Sequence, residues 1–139
     1  IAVGVDMEGT TAEGLRLLLD SVRGDAVVTV VHNENGSSFH PKIYLFEGAQ
    51  SQFIVGSGNL TSGGLFTNYE AGVHLVLDAE DASGLERYNE LKEQLRIWTT
   101  PDGGLVQLLT PQLLDTLVAS GYVLSEEVAR ERRRQQQAE

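Results

Sequence analysis

Apolar runs of strand length, alternating with stretches of helical periodicity, predict an α/β domain for this chain of 139 residues. Three observations carry that reading. The chain opens in the order strand, helix, strand. Three more strand-like runs follow between residues 39 and 77, and capped helical segments fill the rest.

Residues 1–5 form an apolar run that ends at Asp6 and reads as a buried strand, with 8–11 as the turn after it. Leu15, Leu18, Leu19 and Val22 then recur at helical spacing, with Thr10 or Thr11 as N-cap and Gly24 as the stop. Residues 26–32 form a second strand, and a strand-helix-strand unit usually closes as a parallel pair. A polar loop over 33–38 leads into a third strand at 39–46 and, after Glu47-Gly48, a fourth at 52–57. A glycine-rich loop over 58–68 precedes a fifth strand at 70–77.

Residues 81–98 are helical, with Leu85, Tyr88, Leu91, Leu95 and Trp98 on one face. Pro101-Asp-Gly-Gly104 breaks the chain. Thr110 and Pro111 supply an N-cap and a first-turn proline, Leu113, Leu114, Leu117 and Val118 an apolar stripe, and Gly121 the stop. Ser125 caps a last helix, whose end, 130–139, is almost wholly polar and reads as a linker or fraying end. The sequence begins on Ile1. The expectation is a catalytic domain over 1–100 and a C-terminal helical extension over 101–139 that leads to a further domain of a longer parent.

Composition narrows the function. Hydrophobic residues at 41% and charged residues at 22% are those of an ordinary globular protein. The absence of cysteine excludes a disulfide framework, a thiol nucleophile and thiolate zinc sites, and fits a reducing, cytoplasmic setting. The apolar runs fall far short of the ~20 residues that span a bilayer, so no membrane association is expected. A net charge of −10 counts against an unaided grip on nucleic acid, because lysine and arginine supply nearly all non-specific affinity for phosphates. A polynucleotide would need local basic residues or another domain.

Chemistry concentrates between residues 39 and 70. His40 and Lys42 lie two apart on an expected strand, on one face and separated by ~6.6 Å of rise. Ser57 and Asn59 are also two apart, at the end of the next strand. If those strands pair as a hairpin, an imidazole, a cation, a hydroxyl and an amide gather at one sheet edge. Such a set suits a phosphodiester, whose non-bridging oxygens gain negative charge as phosphorus is attacked.

Phe39-His40-Pro41-Lys42 followed by Gly56-Ser57-Gly58-Asn59 resembles the phospholipase D superfamily signature: a histidine, any residue, a lysine, then a glycine, serine and asparagine cluster. The acidic residue five places after the lysine is aspartate in many members and is Glu47 here. Glu70, eleven residues after Asn59, matches the single-motif bacterial nucleases and restriction endonucleases of that superfamily. The resemblance implies a mixed sheet flanked by helices, one motif per chain, and a metal-independent phosphodiesterase without cofactor. His40 would be the nucleophile, Lys42 and Asn59 the phosphate clamp, Ser57 their assistant and Glu70 the carboxylate that orients His40. The implied substrate is a nucleic acid, DNA before RNA. Members use two such histidines per site, and this chain shows one motif and no internal repeat, so a homodimer with a shared site is implied.

Two other classes remain. A lipid phosphodiesterase or phosphatidyl transferase would commonly carry two motifs in one chain. A catalytically silent dimerisation module of a larger defence protein would not require His40, Lys42 and Asn59 together. His32 and His74 lack matching partners and read as structural. Arg130, Arg132, Arg133 and Arg134 alternate with Glu127 and Glu131 and read as a solvated helix end. No His, Asp and Glu spacing suggests a metal site.

Overall fold

The computed structural model describes residues 1–6, 10–23, 26–33, 38–48, 50–61, 63–78 and 80–136. Along the chain run β1 (Ala2–Gly4), α1 (Ala12–Val22), β2 (Thr29–Val31), β3 (Ile43–Phe46), β4 (Gln50–Gly56), a π-helical turn (Gly63–Thr67), β5 (Gly72–Asp78), α2 (Ala82–Thr99), β6 (Val106–Leu108), α3 (Pro111–Ala119) and α4 (Glu126–Gln136). The chain is α/β, as its patterning predicts. It divides into two compact units, one built from Ile1–Phe39 and Arg96–Glu139, the other from His40–Leu95.

In the first unit β1 and β2 pair in parallel, as the strand-helix-strand opening predicts, and β6 adds to the other edge of β2 in antiparallel register. The sequence reading missed β6. Its three residues carry no alternation of their own, and what makes them a strand is pairing with residues more than seventy positions earlier. The tight link before it is built by Asp102, whose Oδ1 accepts the N–H of Gly104 at 2.8 Å and of Val106 at 3.0 Å. Those two bonds hold the Asp102 carboxyl below its usual range.

Helix α1 starts where the sequence places it. Thr11 is the N-cap, and its hydroxyl accepts the Gly14 N–H. The expected stop, Gly24, lies outside the described residues, and Arg23 takes the left-handed cap conformation with φ 45°. Leu15 is buried, and Leu18, Leu19 and Val22 pack partly buried against the same core of Val5, Val28, Val30, Leu109, Leu114, Leu117 and Val123. Residues 101–139, expected as an extension, thus contribute to the core that holds β1 and β2. Thr110 caps α3 by accepting the Leu113 N–H at 3.1 Å, with Pro111 in the first turn, and Gly121 follows the helix at φ 78°. Ser125 caps α4, which stays helical through Gln136 where a fraying tail was expected, and buries Ala129.

The second unit holds the other sheet, in the order β3-β4-β5, all antiparallel. The strands therefore divide between two three-stranded sheets, where a single mixed sheet was expected. Phe53 in the middle of β4 is fully buried and Leu77 of β5 nearly so. Gly56 lies between its neighbours so closely that a Cβ would stand 2.7 Å from the Ala71 carbonyl oxygen.

These packing assignments predict graded costs. Leu114→Ala should lower stability by about 2–5 kcal/mol, since it empties a side chain 1% exposed. Thr110→Ala should cost about 1 kcal/mol through the lost cap. Urea unfolding followed by circular dichroism checks both, and equal small losses would contradict the core assignment.

Candidate active site

The site begins with a strand that starts late. β3 was expected from residue 39 and begins at Ile43. His40, Pro41 and Lys42 therefore stand just before the strand. The pairing nonetheless reaches one residue further, because the Gly56 N–H donates to the Lys42 carbonyl at 3.1 Å. The hairpin anticipated from the sequence forms, with Ile43 opposite Val55 and Phe46 opposite Gln52. The start of β3, the end of β4 and the start of β5 share one end of this sheet.

Lys42 is 8% exposed. Its ammonium donates to the His40 carbonyl at 2.8 Å and contacts the His40 Nδ1. An ammonium only donates, so a neutral His40 ring in this contact carries its proton on Nε2. Among the described residues no carboxylate meets Lys42, which leaves a nearly buried cation without a counter-ion beside an exposed imidazole.

Ser57 follows β4 at a bend. Its N–H donates to the Ala71 carbonyl at 3.0 Å, and its hydroxyl accepts the Ala71 N–H at 3.1 Å and donates to the Glu70 carboxylate. The other oxygen of Glu70 accepts from Asn68 Nδ2 at 3.2 Å. Among the described residues Glu70 thus bonds Ser57 and Asn68, and no hydrogen bond joins this group to His40 and Lys42. The orienting contact from Glu70 to His40 that the resemblance implied is not made. Glu70 itself lies just before β5, which begins at Gly72.

Asn59 is exposed on the loop after β4. Its backbone is packed so tightly against Gly64 that a Cβ there would sit 2.7 Å from the Asn59 nitrogen. Tyr44 secures the same loop by donating its hydroxyl to the Gly58 carbonyl at 3.0 Å. Neither Tyr44 nor Asn68 was singled out from the sequence. Tyr44 shares the parity of His40 and Lys42, a signal that strand alternation contains. Asn68 has no comparable signal, because the π-helical turn that precedes it has no sequence signature of its own.

Glu47, whose role the sequence left open, follows β3 at its far end. Its carboxylate accepts from Lys92 at 2.7 Å and from the Tyr88 hydroxyl, both on α2. The Lys92 hydrogen bond, with that of Tyr88 second, holds Glu47 below the ordinary carboxylate range, and the same contact raises Lys92. Five residues of strand, ~16 Å, separate it from Lys42, so its work is to tie α2 to the hairpin.

The other histidines have structural partners. His32 Nδ1 lies 2.6 Å from Asp6 Oδ1, and its ring meets Tyr122 edge-on. His74 Nε2 lies 3.0 Å from the Gln52 side chain on one face of the sheet. Among the described residues no three His, Asp or Glu side chains are grouped to hold a metal ion. No helix of the described residues is long and apolar enough to cross a membrane. Arg130 pairs with Glu126 one turn earlier, at 2.5 Å.

The Glu47 contact predicts its own titration. Glu47 should lose its proton below the normal carboxylate range in the folded protein, and Lys92→Met should move that midpoint up. A depressed folded pKa means that the pair's small contribution is present above the unfolded carboxylate value and lost as pH falls through the folded one. Side-chain carbon NMR of Glu47 against pH checks this, and an unmoved midpoint in Lys92→Met would refute the contact.

No family model matches the chain, and no curated protein matches it at significant similarity.

Proposed function

We propose that this chain is a phospholipase D-like, metal-independent phosphodiesterase, and that its substrate is a nucleic acid. The observation that supports this most is Lys42. Moving an ammonium from water into protein costs several kcal/mol unless an anion compensates it. Such a cation beside an imidazole at the open end of a sheet suits a phosphate oxygen as its missing partner.

In the proposed reaction one His40 attacks phosphorus through Nε2, and the bond from phosphorus to the leaving oxygen breaks. A second His40, from another copy of the chain and doubly protonated, gives its Nε2 proton to that oxygen and becomes neutral. Water then attacks the phosphohistidine, passing its proton to the second imidazole, and frees the first. Neither the imidazolium donor nor an attacker with Nε2 free can accept from Lys42 at Nδ1, so in both reacting copies the ammonium would turn from the ring to the phosphate oxygens. The attacking ring carries its one proton on Nδ1, so the two histidines of the shared site would be alike in sequence and different in protonation. Lys42 and Asn59 would hold the non-bridging oxygens. Ser57 and Glu70, locked to each other, would be positioning residues for the loop that presents Asn59.

The charge of −10 means that affinity for a polynucleotide would come from a further basic module of a longer parent, with this unit supplying cleavage. A restriction or defence nuclease has that arrangement.

Subunit mixing tests the shared site. A dimer with one wild-type and one His40→Ala subunit has an attacker or an acid but not both, so it should be nearly inactive. After full exchange of equal amounts, plasmid cleavage in EDTA should fall to about one quarter of the wild-type value, whereas independent sites would leave about one half. A strict Mg²⁺ requirement would overturn the metal-free mechanism.

A further inference from the structure

Between Glu47 and Glu70 the sequence contains no aspartate, glutamate, lysine or arginine, although 22% of the whole chain is charged. That charge-free stretch ends in the loop from Asn59 to Glu70, and the loop displays its apolar side chains. Leu60 is 74%, Leu65 55%, Phe66 81% and Tyr69 fully exposed. The described backbone beneath them is hydrogen-bonded. Leu65 N–H donates to the Thr61 carbonyl at 2.9 Å, and Asn68 N–H to the Gly63 carbonyl at 2.8 Å, which closes the π-helical turn. Gly64 leaves no space for a side chain against Asn59.

We infer that this loop is a self-docking surface and that its occupant is the same loop of a second copy of the chain, an inference that rests on the shared-site reading above. Two observations favour that occupant. The first is charge. A nucleic acid on this surface would need cations that it lacks, whereas two copies that each carry −10 repel one another least where neither is charged. The second is continuity. Leu60 follows Asn59 and Tyr69 precedes Glu70, so the apolar surface borders the residues whose chemistry needs the partner's imidazole. A twofold contact is isologous, and a patch that meets itself across the axis brings the flanking site residues of both copies to one place.

The absence of native cysteine makes the test direct. Leu65→Cys and Phe66→Cys, each in the full chain at low micromolar concentration under mild oxidant, should give a reducible disulfide-linked dimer. Leu17→Cys, on an exposed position of α1, should not. Phe66→Glu should weaken the dimer at least about tenfold in sedimentation velocity, with an unchanged far-ultraviolet spectrum. A wild-type dimer whose Leu65→Cys and Phe66→Cys variants link no better than Leu17→Cys would overturn the surface and leave the shared-site reading standing. An active wild-type monomer would overturn that reading, and the surface with it. If Phe66→Ala keeps the dimer and loses affinity for a labelled oligonucleotide, the loop contacts nucleic acid and the inference is wrong.

Discussion

The pairing of β4 with a strand on each side determines where every polar group of the candidate site stands. Gly56 is where the constraint is tightest. Its N–H reaches the carbonyl of Lys42 on one side, and on the other its Cα faces Gly72, with no room for a Cβ beside the Ala71 carbonyl. One slip of register would move Lys42 and Ser57 away from each other's end of the sheet and turn alternate side chains to the opposite face. With the register set, the chain just before β3, the bend after β4 and the entry to β5 meet at one edge. His40, Lys42, Ser57, Asn59 and Glu70 all belong to those three connections.

What the register cannot do is supply charge balance. Lys42 is nearly buried and has only neutral partners, both on His40, among the described residues. In a chain with twice as many acidic as basic residues, 20 against 10, leaving that one cation uncompensated is not the pattern of a stabilising ion pair. Glu47 and Lys92 show the ordinary alternative in the same unit, where cation and carboxylate meet and α2 is fastened to β3. Glu70 is occupied by two neutral donors, Ser57 and Asn68. The cationic and anionic halves of the site are thus held apart, and a phosphodiester is the kind of group that would complete the first of them.

Local signals were the most legible part of the sequence. Thr11 and Thr110 cap their helices where an N-cap residue before an apolar stripe predicts, and the antiparallel hairpin joining His40 and Lys42 to Ser57 was readable from two strand runs around Glu47-Gly48. What stayed hidden depends on distant partners. β6 is a strand only because β2 lies beside it. β3 begins at Ile43, four residues after its apolar run does, because pairing with β4 and not apolar patterning sets where a strand starts. The engagement of Glu70 with Asn68 required a π-helical turn, which has no sequence signature of its own. Arg23 takes the left-handed cap conformation at φ 45°, and no sequence signal marks an arginine for it.

The central claim is that His40 forms a covalent bond to phosphorus, and stereochemistry reads this without having to trap the adduct. A phosphorothioate diester of known configuration, hydrolysed by the wild-type protein in ¹⁸O-labelled water, yields a chiral product. Two in-line displacements, first by His40 and then by water, predict overall retention at phosphorus. Inversion would mean a single displacement by water and would contradict the covalent mechanism.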